Sequence, residues 1–331
     1  MGLVSQESWA RDPATFGTAA QRRTRPVAEK ESQKWLTGLQ RVADALPEGP
    51  RVVLVQDREA DVFAFLAAPR PAHIELIVRV CQPRRVDVDA GRAGGLRNVL
   101  EAARQAPVVG PLRVQVPRKP GQPEREAVLE LAASAVVVKA PRRRSADVPA
   151  VSQALWVVRA TEIEPPPGGK PIEWILLTTM AIDSCAAARR CVQHYALRWR
   201  VERFHYTLKQ GCTVERLQFE DAHPLKNALA LYSIVAWRLL WLTYTARQQP
   251  QAPATEVLPP LELQVLEEAI QAPVPTARAA IRALAQLGGF PTNPSAQEPG
   301  VKVLWRGLRR LEAMVEGWLL ALQAQPFMRQ D

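Results

Sequence analysis

The feature that most constrains the fold is a short run, Arg51 to Gln56 (RVVLVQ), that is almost entirely apolar after its arginine and ends in Asp57-Arg58-Glu59. A strand covered on both faces reads this way, because the apolar–polar alternation of a half-solvated strand disappears. Ahead of it, Glu29 to Leu46 carries Trp35, Leu39, Val42 and Leu46 at helical spacing and is closed by Pro47 and Gly49. A helix feeding a fully buried strand predicts an α/β core with that strand in the middle of a sheet.

From about Arg79 to Glu173 the texture changes to alternating or β-branched runs (LRVQV at 112–116, AVLEL at 127–131, AVVVK at 135–139, LWVVRA at 155–160), separated by Pro, Gly and Arg clusters. This predicts an antiparallel β insertion. Arg84-Arg85 and Arg142-Arg143-Arg144 fall in its loops, where charge runs are usually solvated and contact with DNA is the alternative. After a strand at Trp174 to Thr178 (WILLT), the pattern is helical for most of the remaining length, beginning with one long helix from Cys185 through Lys209. Gln248 to Pro260, rich in Pro and Gln, reads as a linker. Helices are expected near Leu261–Ile270, Pro275–Leu287 and Val303–Gln323. The last aligns Leu304, Leu308, Leu311, Val315, Trp318 and Leu322 on one face, a stripe that serves either as internal core or as an interface. The domain plan is therefore 1–78, 79–173, 174–247, a linker at 248–260, and 261–331.

With 331 residues and 47% hydrophobic content, the chain is long enough for two or three cores and is not a largely disordered protein. Lys and Arg exceed Asp and Glu by 43 to 33, and the formal charge of +10 favours a polyanionic partner, although a basic surface is also a generic solubility device. Four cysteines are too few for a disulfide framework, and no apolar run near the start resembles a signal peptide, so a cytoplasmic location is expected. Ala228 to Ala246 is long and apolar enough to suggest a membrane span. Arg238 at its centre would cost roughly 2.5–3.5 kcal/mol to insert, so the segment is read as a buried helix with no membrane partner.

The residues that carry chemistry lie in Tyr195 to Lys209 (YALRWRVERFHYTLK). On one continuous helix at about 100° per residue, Tyr195, Arg198, Glu202 and Lys209 fall within roughly 60° of one another. Arg198 and Glu202 alone form an ordinary i, i+4 pair, but that does not explain the tyrosine or the lysine. Asp57 and Glu202 would form a paired carboxylate site for magnesium, which takes hard oxygen ligands beside a phosphate and can drive in-line phosphoryl transfer. Arg198 and Lys209 would hold phosphates, the arginine with two prongs. A zinc reading of Cys191, His194, His205 and Cys212 has suitable residue types but scattered helical angles and no standard spacing.

The spacing Tyr195-x2-Arg198-x3-Glu202-x6-Lys209 resembles the signature of bacterial Asp-Asp-Glu transposases of insertion-sequence family four, and the text resembles the transposon-five branch of that family. The segments QDREADVFAFL around Asp57, EKESQKWL at 29–36, NALALYSIVAWRLLWLTY at 227–244, LGGF at 287–290 and EPGVKVLWRGLRRL at 298–311 extend the resemblance over essentially the whole chain. It implies an RNase H-like catalytic core with a β insertion between the second aspartate and the glutamate, followed by an all-α C-terminal dimerisation domain. It further implies that Asp57 and Glu202 are catalytic carboxylates binding magnesium or manganese, and that Tyr195, Arg198 and Lys209 contact phosphates at the cleaved end of double-stranded DNA. Trp174 would stack on a flipped base, its alternative being core, and Arg79 would be a DNA contact of the insertion. The partners implied are transposon-end and target DNA, at the nucleoid, and a second copy or an intact transposase. The family's first catalytic aspartate and end-recognition domain have no counterpart here; Asp12, in ARDPAT, is the only early candidate and sits in a turn context. The resemblance therefore implies an N-terminally truncated copy with weak metal binding and little cleavage, or a DNA-binding, dimerising fragment that inhibits an intact transposase.

Overall fold

The structure, a computed structural model, describes Val4 and residues 25–87, 98–116, 123–142, 144–145, 148–219, 221–291 and 298–328; Asp12 and Arg143 lie outside them. The described residues form two compact units that divide between Trp199 and Arg200. The first is built on a seven-stranded mixed sheet, and the elements of the second are helices.

The strands are β1 (Val52–Gln56), β2 (Ile74–Arg79), β3 (Val86–Asp87), β4 (Val108–Val116), β5 (Arg125–Val138), β6 (Gln153–Glu162) and β7 (Glu173–Thr178). Their order is β1-β2-β7-β6-β5-β3, with β4 also paired to β5. Only β1 and β2 are parallel; every other pairing is antiparallel. The strands of the predicted insertion are thus hydrogen-bonded into the same sheet as β1. Helices α1 (Gln33–Ala45) and α2 (Val99–Gln105) cover one face with Leu39, Val99, Ala102 and Ala103, against Leu76, Val78, Val136, Val157 and Leu177. Helix α3 (Cys185–Ala196) covers the other with Ala188, Cys191, Val192 and Tyr195, against Ile77, Leu131, Val158 and Leu176. The alternation of Leu76 and Val78 with Ile77 is the period-two side-chain rule of a strand covered on both faces.

Several expectations are corrected. Among the described residues β1 is an edge strand, and all five of its residues are only partly buried. Its apolar run reflects cover on both faces, Val52 and Leu54 on one and Val53 and Val55 on the other, and composition carries no information about the edge. AVLEL and AVVVK are parts of one strand, β5, which pairs with β6 over Leu129–Val138 and with β4 over Arg125–Ala132, so Ala132-Ala133-Ser134 between them is no turn. The helix expected through Lys209 breaks. Leu197 and Arg198 N–H groups bond back three residues to His194 and Tyr195, α4 (Trp199–Tyr206) follows, and a π-helical turn covers Thr207–Gly211. The 100° step that gathers Tyr195, Arg198, Glu202 and Lys209 into one sector holds only for an unbroken α-helix.

The second unit continues with α5 (Ala222–Gln248), α6 (Pro260–Ile270), α7 (Ala277–Leu287) and α8 (Val301–Met328). Helix α5 is long and apolar enough to cross a membrane by length and composition, and a third (33%) of its apolar window is buried. Contrary to the expectation of a buried helix, only its later half is core (Ala236, Leu239, Leu242, Ala246), while Leu231 and Ile234 are exposed. Arg238 forms ion pairs with Glu262 at 2.5 Å and Glu312 at 3.9 Å, satisfying the charge against α6 and α8. The expected linker 248–260 is ordered: Ala254 N–H donates to Pro275, Ala277 N–H donates to Ala252, and Val257 and Leu258 are buried. Of the α8 stripe, Leu304, Leu308 and Leu311 are core and Leu322 is exposed.

Helices α7 and α8 meet backbone to backbone. A Cβ on Gly307 would lie 1.8 Å from the Leu284 carbonyl oxygen, and one on Gly288 would lie 2.0 Å from that of Val303. Gly307→Ala is therefore expected to destabilise this unit by about 1–3 kcal/mol or more. Gly317→Ala, which meets nothing within 4 Å, should be neutral or mildly stabilising; urea denaturation followed by tryptophan fluorescence compares the two.

In the sheet unit, the buried Glu162 carboxylate accepts two bonds from Arg125 and one from Ile172 N–H at 3.0 Å. The Arg125 hydrogen bonds hold its carboxyl below the ordinary 4.5. A carboxyl lowered on folding stabilises the fold above its unfolded value, and that stabilisation is lost as pH falls through the folded value. Acid titration followed by circular dichroism should therefore show Arg125→Ala losing its fold at higher pH than the parent.

Candidate functional site

Parallel pairing of β1 with β2 matches Gln56 to Val78, so Asp57 and Arg79 stand next along the two strands, at their carboxyl ends. Open α/β sheets bind ligands at this end, where loops leave the sheet free of side-chain packing. β7 runs the other way, with Leu176 opposite Arg79, which brings its first residues, Glu173 and Trp174, to the same end. The Arg79 guanidinium confirms the placement by donating to the Glu173 carbonyl at 3.1 Å.

Asp57 is half-buried and caps the 3-10 turn Arg58–Ala60, its Oδ1 accepting from Glu59 N–H at 2.9 Å. Trp174 is half-buried and meets Tyr195 edge to face, with ring centroids 5.2 Å apart. Tyr195, at the end of α3, is only 4% exposed, so its ring is core that props the indole and offers little surface to a phosphate. Arg198, three residues on, is partly exposed. Five of the residues singled out in the sequence (Asp57, Arg79, Trp174, Tyr195 and Arg198) thus belong to the sheet unit, and register and ring contact bring the first four to one end of it. Glu202 and Lys209 belong to the helical unit. Glu202 is exposed in the first turn of α4, and Lys209 lies exposed in the π turn, paired with Glu215 at 3.1 Å.

Sequence reasoning missed a second acid. Asp61 has no side-chain exposure, and Oδ2 accepts from Cys81 and Gln82 N–H, both at 2.8 Å, while Oδ1 accepts from Arg84 Nε at 2.6 Å. Arg84 also donates to the Asp61 carbonyl. The arginine read as a solvated loop charge is therefore 13% exposed and bound to a buried carboxylate. The signal was available in the second aspartate of DREAD, which lies just ahead of a run of buried apolar residues, Phe63 to Leu66.

Magnesium or manganese takes carboxylate oxygens and keeps waters. By donor type Asp57 and Glu202 fit: each is a carboxylate with solvent access, whereas Asp61 is fully occupied by its three donors. Among the described residues no group of three or more His, Cys, Asp or Glu is gathered. The candidate zinc cysteines are poor donors, because burial pushes the Cys191 thiol up to about 12 and the Cys212 thiol up to about 11. No family model matches the chain.

The thiols give a direct check of this arrangement. Iodoacetamide on the native protein at pH 8 is expected to label exposed Cys81, whose thiol is also raised by burial, before Cys191 or Cys212, which should react only after denaturation; peptide mapping reads the order.

Proposed function

We propose that the chain acts on DNA as a metal-dependent transposase of the Asp-Asp-Glu type, with the sheet unit as an RNase H-like catalytic core and the later helices as a dimerisation domain. The observation that carries this reading is the convergence of Asp57, Arg79, Trp174 and Tyr195, drawn from four separate stretches of sequence, at one end of one sheet. A coincidental match of short motifs gives no reason for such convergence.

In this reading Asp57 and Glu202 supply oxygen ligands to magnesium or manganese. A bound divalent ion supplies activation of a water or 3′-hydroxyl and charge relief at the leaving oxygen. The protein's own groups do the rest. Arg79, Arg198 and Lys209 hold backbone phosphates, the arginines with fork geometry that fixes orientation as well as charge. The exposed part of Trp174, held by Tyr195 behind it, is a stacking platform for an unpaired base. Double-stranded DNA at element ends and target is the substrate, the cytoplasmic nucleoid the location, and a second copy or an intact transposase the partner.

The test is a nicking and strand-transfer assay on duplex DNA with magnesium or manganese, alongside gel-shift binding. Metal-dependent cutting should fall by about 100-fold or more in Asp57→Ala and in Glu202→Ala, with binding retained. Binding without cutting in the parent chain would favour the non-catalytic fragment that inhibits an intact transposase. A chain that neither binds nor cuts DNA removes the proposal.

A further inference from the structure

The sheet unit has a second feature beside Asp57: an open groove of about 610 Å³ whose lining includes Lys30, Asp61, Gln82, Arg84, Arg144 and Ser145. Three residues, the 3-10 turn Arg58–Ala60, separate Asp57 from Asp61, so the groove begins where the turn after β1 ends. We propose that this groove is a phosphate-binding subsite that seats the backbone of duplex DNA, an inference that rests on the DNA-directed reading above.

Three observations carry it. The first is charge. Among the described residues the lining has three cations, Lys30, Arg84 and Arg144, and one acid, Asp61, whose charge is met by Arg84 at 2.6 Å. Glu29 and Glu31 flank Lys30 in sequence but do not line the groove. The second is presentation. Arg84 gives Nε and Nη2 to Asp61, so its guanidinium is held in place while Nη1 has no partner among the described residues. Among the described residues exposed Arg144 bonds only the Pro141 carbonyl, at 3.4 Å, which leaves most of its fork for a ligand. Ser145 Oγ, buried in the groove wall, has no hydrogen-bond partner among the described residues. A buried hydroxyl is normally paired, and an anionic oxygen is the acceptor that a cationic groove would bring to it.

The third is rigidity. Lys139 N–H donates to the Arg85 carbonyl at 2.9 Å, and the Arg85 guanidinium donates to the Ala140 carbonyl at 3.0 Å, so the loops carrying Arg84 and Arg144 are tied to each other. Charged groups fixed in advance bind phosphate without first being ordered. Exposed Arg85 and Arg142 stand next to the groove residues on the same two loops and extend the cationic strip beyond the groove, which suits a polymer of phosphates better than a single small anion.

The experiment measures binding of the full chain to fluorescent duplex DNA over a range of salt concentrations. Each phosphate contact contributes about 0.9 to the slope of log K against log salt, so Lys30→Ala/Arg144→Ala is expected to lower the slope by about 2. Arg113→Ala removes one exposed cation on β4 and should leave the slope within about 0.3 of the parent value. Arg144→Glu alone, at an exposed position that leaves the Asp61–Arg84 pair intact, is the second variant should the double variant fail to fold; it is expected to weaken binding about tenfold or more at low salt. DNA binding with unchanged slope and affinity in these variants overturns the groove as a subsite while leaving DNA binding by the chain intact. Inorganic pyrophosphate is the other arm. If it raises the thermal midpoint of the parent but not of the variants, while DNA is not bound, the groove serves a small anion and both the DNA assignment and the transposase reading fall.

Discussion

The buried carboxylate of Asp61 is the constraint on which the rest of the sheet unit's working end depends. Removing a carboxylate from water costs several kcal/mol in a protein, and it is tolerated only where donors replace the lost hydration. Here two backbone N–H groups and a guanidinium do so. Each donor belongs to the loop that follows β2, whereas Asp61 follows β1. One side chain therefore joins the exits of the two parallel strands. The Asp57 turn and the 81–85 loop are held in one arrangement by an interaction with no tolerance for a missing partner.

The same end of the sheet illustrates how register, more than proximity in sequence, builds a site. Asp57 and Arg79 are 22 positions apart, and Trp174 is 95 further on. They come together because β1 and β2 are parallel and β7 is antiparallel to β2, so that two strand exits and one strand entry coincide. Slipping β7 by one residue would turn Trp174 to the opposite face and break its contact with Tyr195. The core enforces the register, since Leu176 and Leu177 point into the two different apolar layers.

What could be read from sequence follows the same physics. Face patterns were legible: α1, the two strands β6 and β7, and the helices after residue 260 formed close to where apolar spacing put them. Edges were not, because the run 51–56 is apolar whether its neighbours number one or two. Helix continuity was not legible either. Nothing in ALRW marks the break at Leu197–Arg198, and no residue between 207 and 211 announces a π turn until Gly211. Roles within a recognised motif were the hardest to read. Tyr195 carries a phenol that can bind phosphate, yet the aromatic contact with Trp174 and its burial under the sheet decide its surroundings. Arg84 looked like loop charge because its partner, Asp61, is 23 residues away.

Net charge illustrates why location outweighs composition. The excess of +10 says little by itself, because several of the cations are committed to the fold. Arg125 neutralises buried Glu162, Arg84 neutralises buried Asp61, and Arg238 is held between Glu262 and Glu312. Exposed pairs such as Lys209–Glu215 and Arg113–Glu126 contribute little to stability and can exchange partners at little cost. A polyanion would therefore be met by a subset of the arginines and lysines: those with donor groups left over and fixed by something other than the ligand. Arg84 satisfies both conditions because its structural partner takes one edge of the guanidinium and leaves the other. A residue that stabilises the fold can in this way also present charge, and the buried acid that holds it is what makes the presentation rigid.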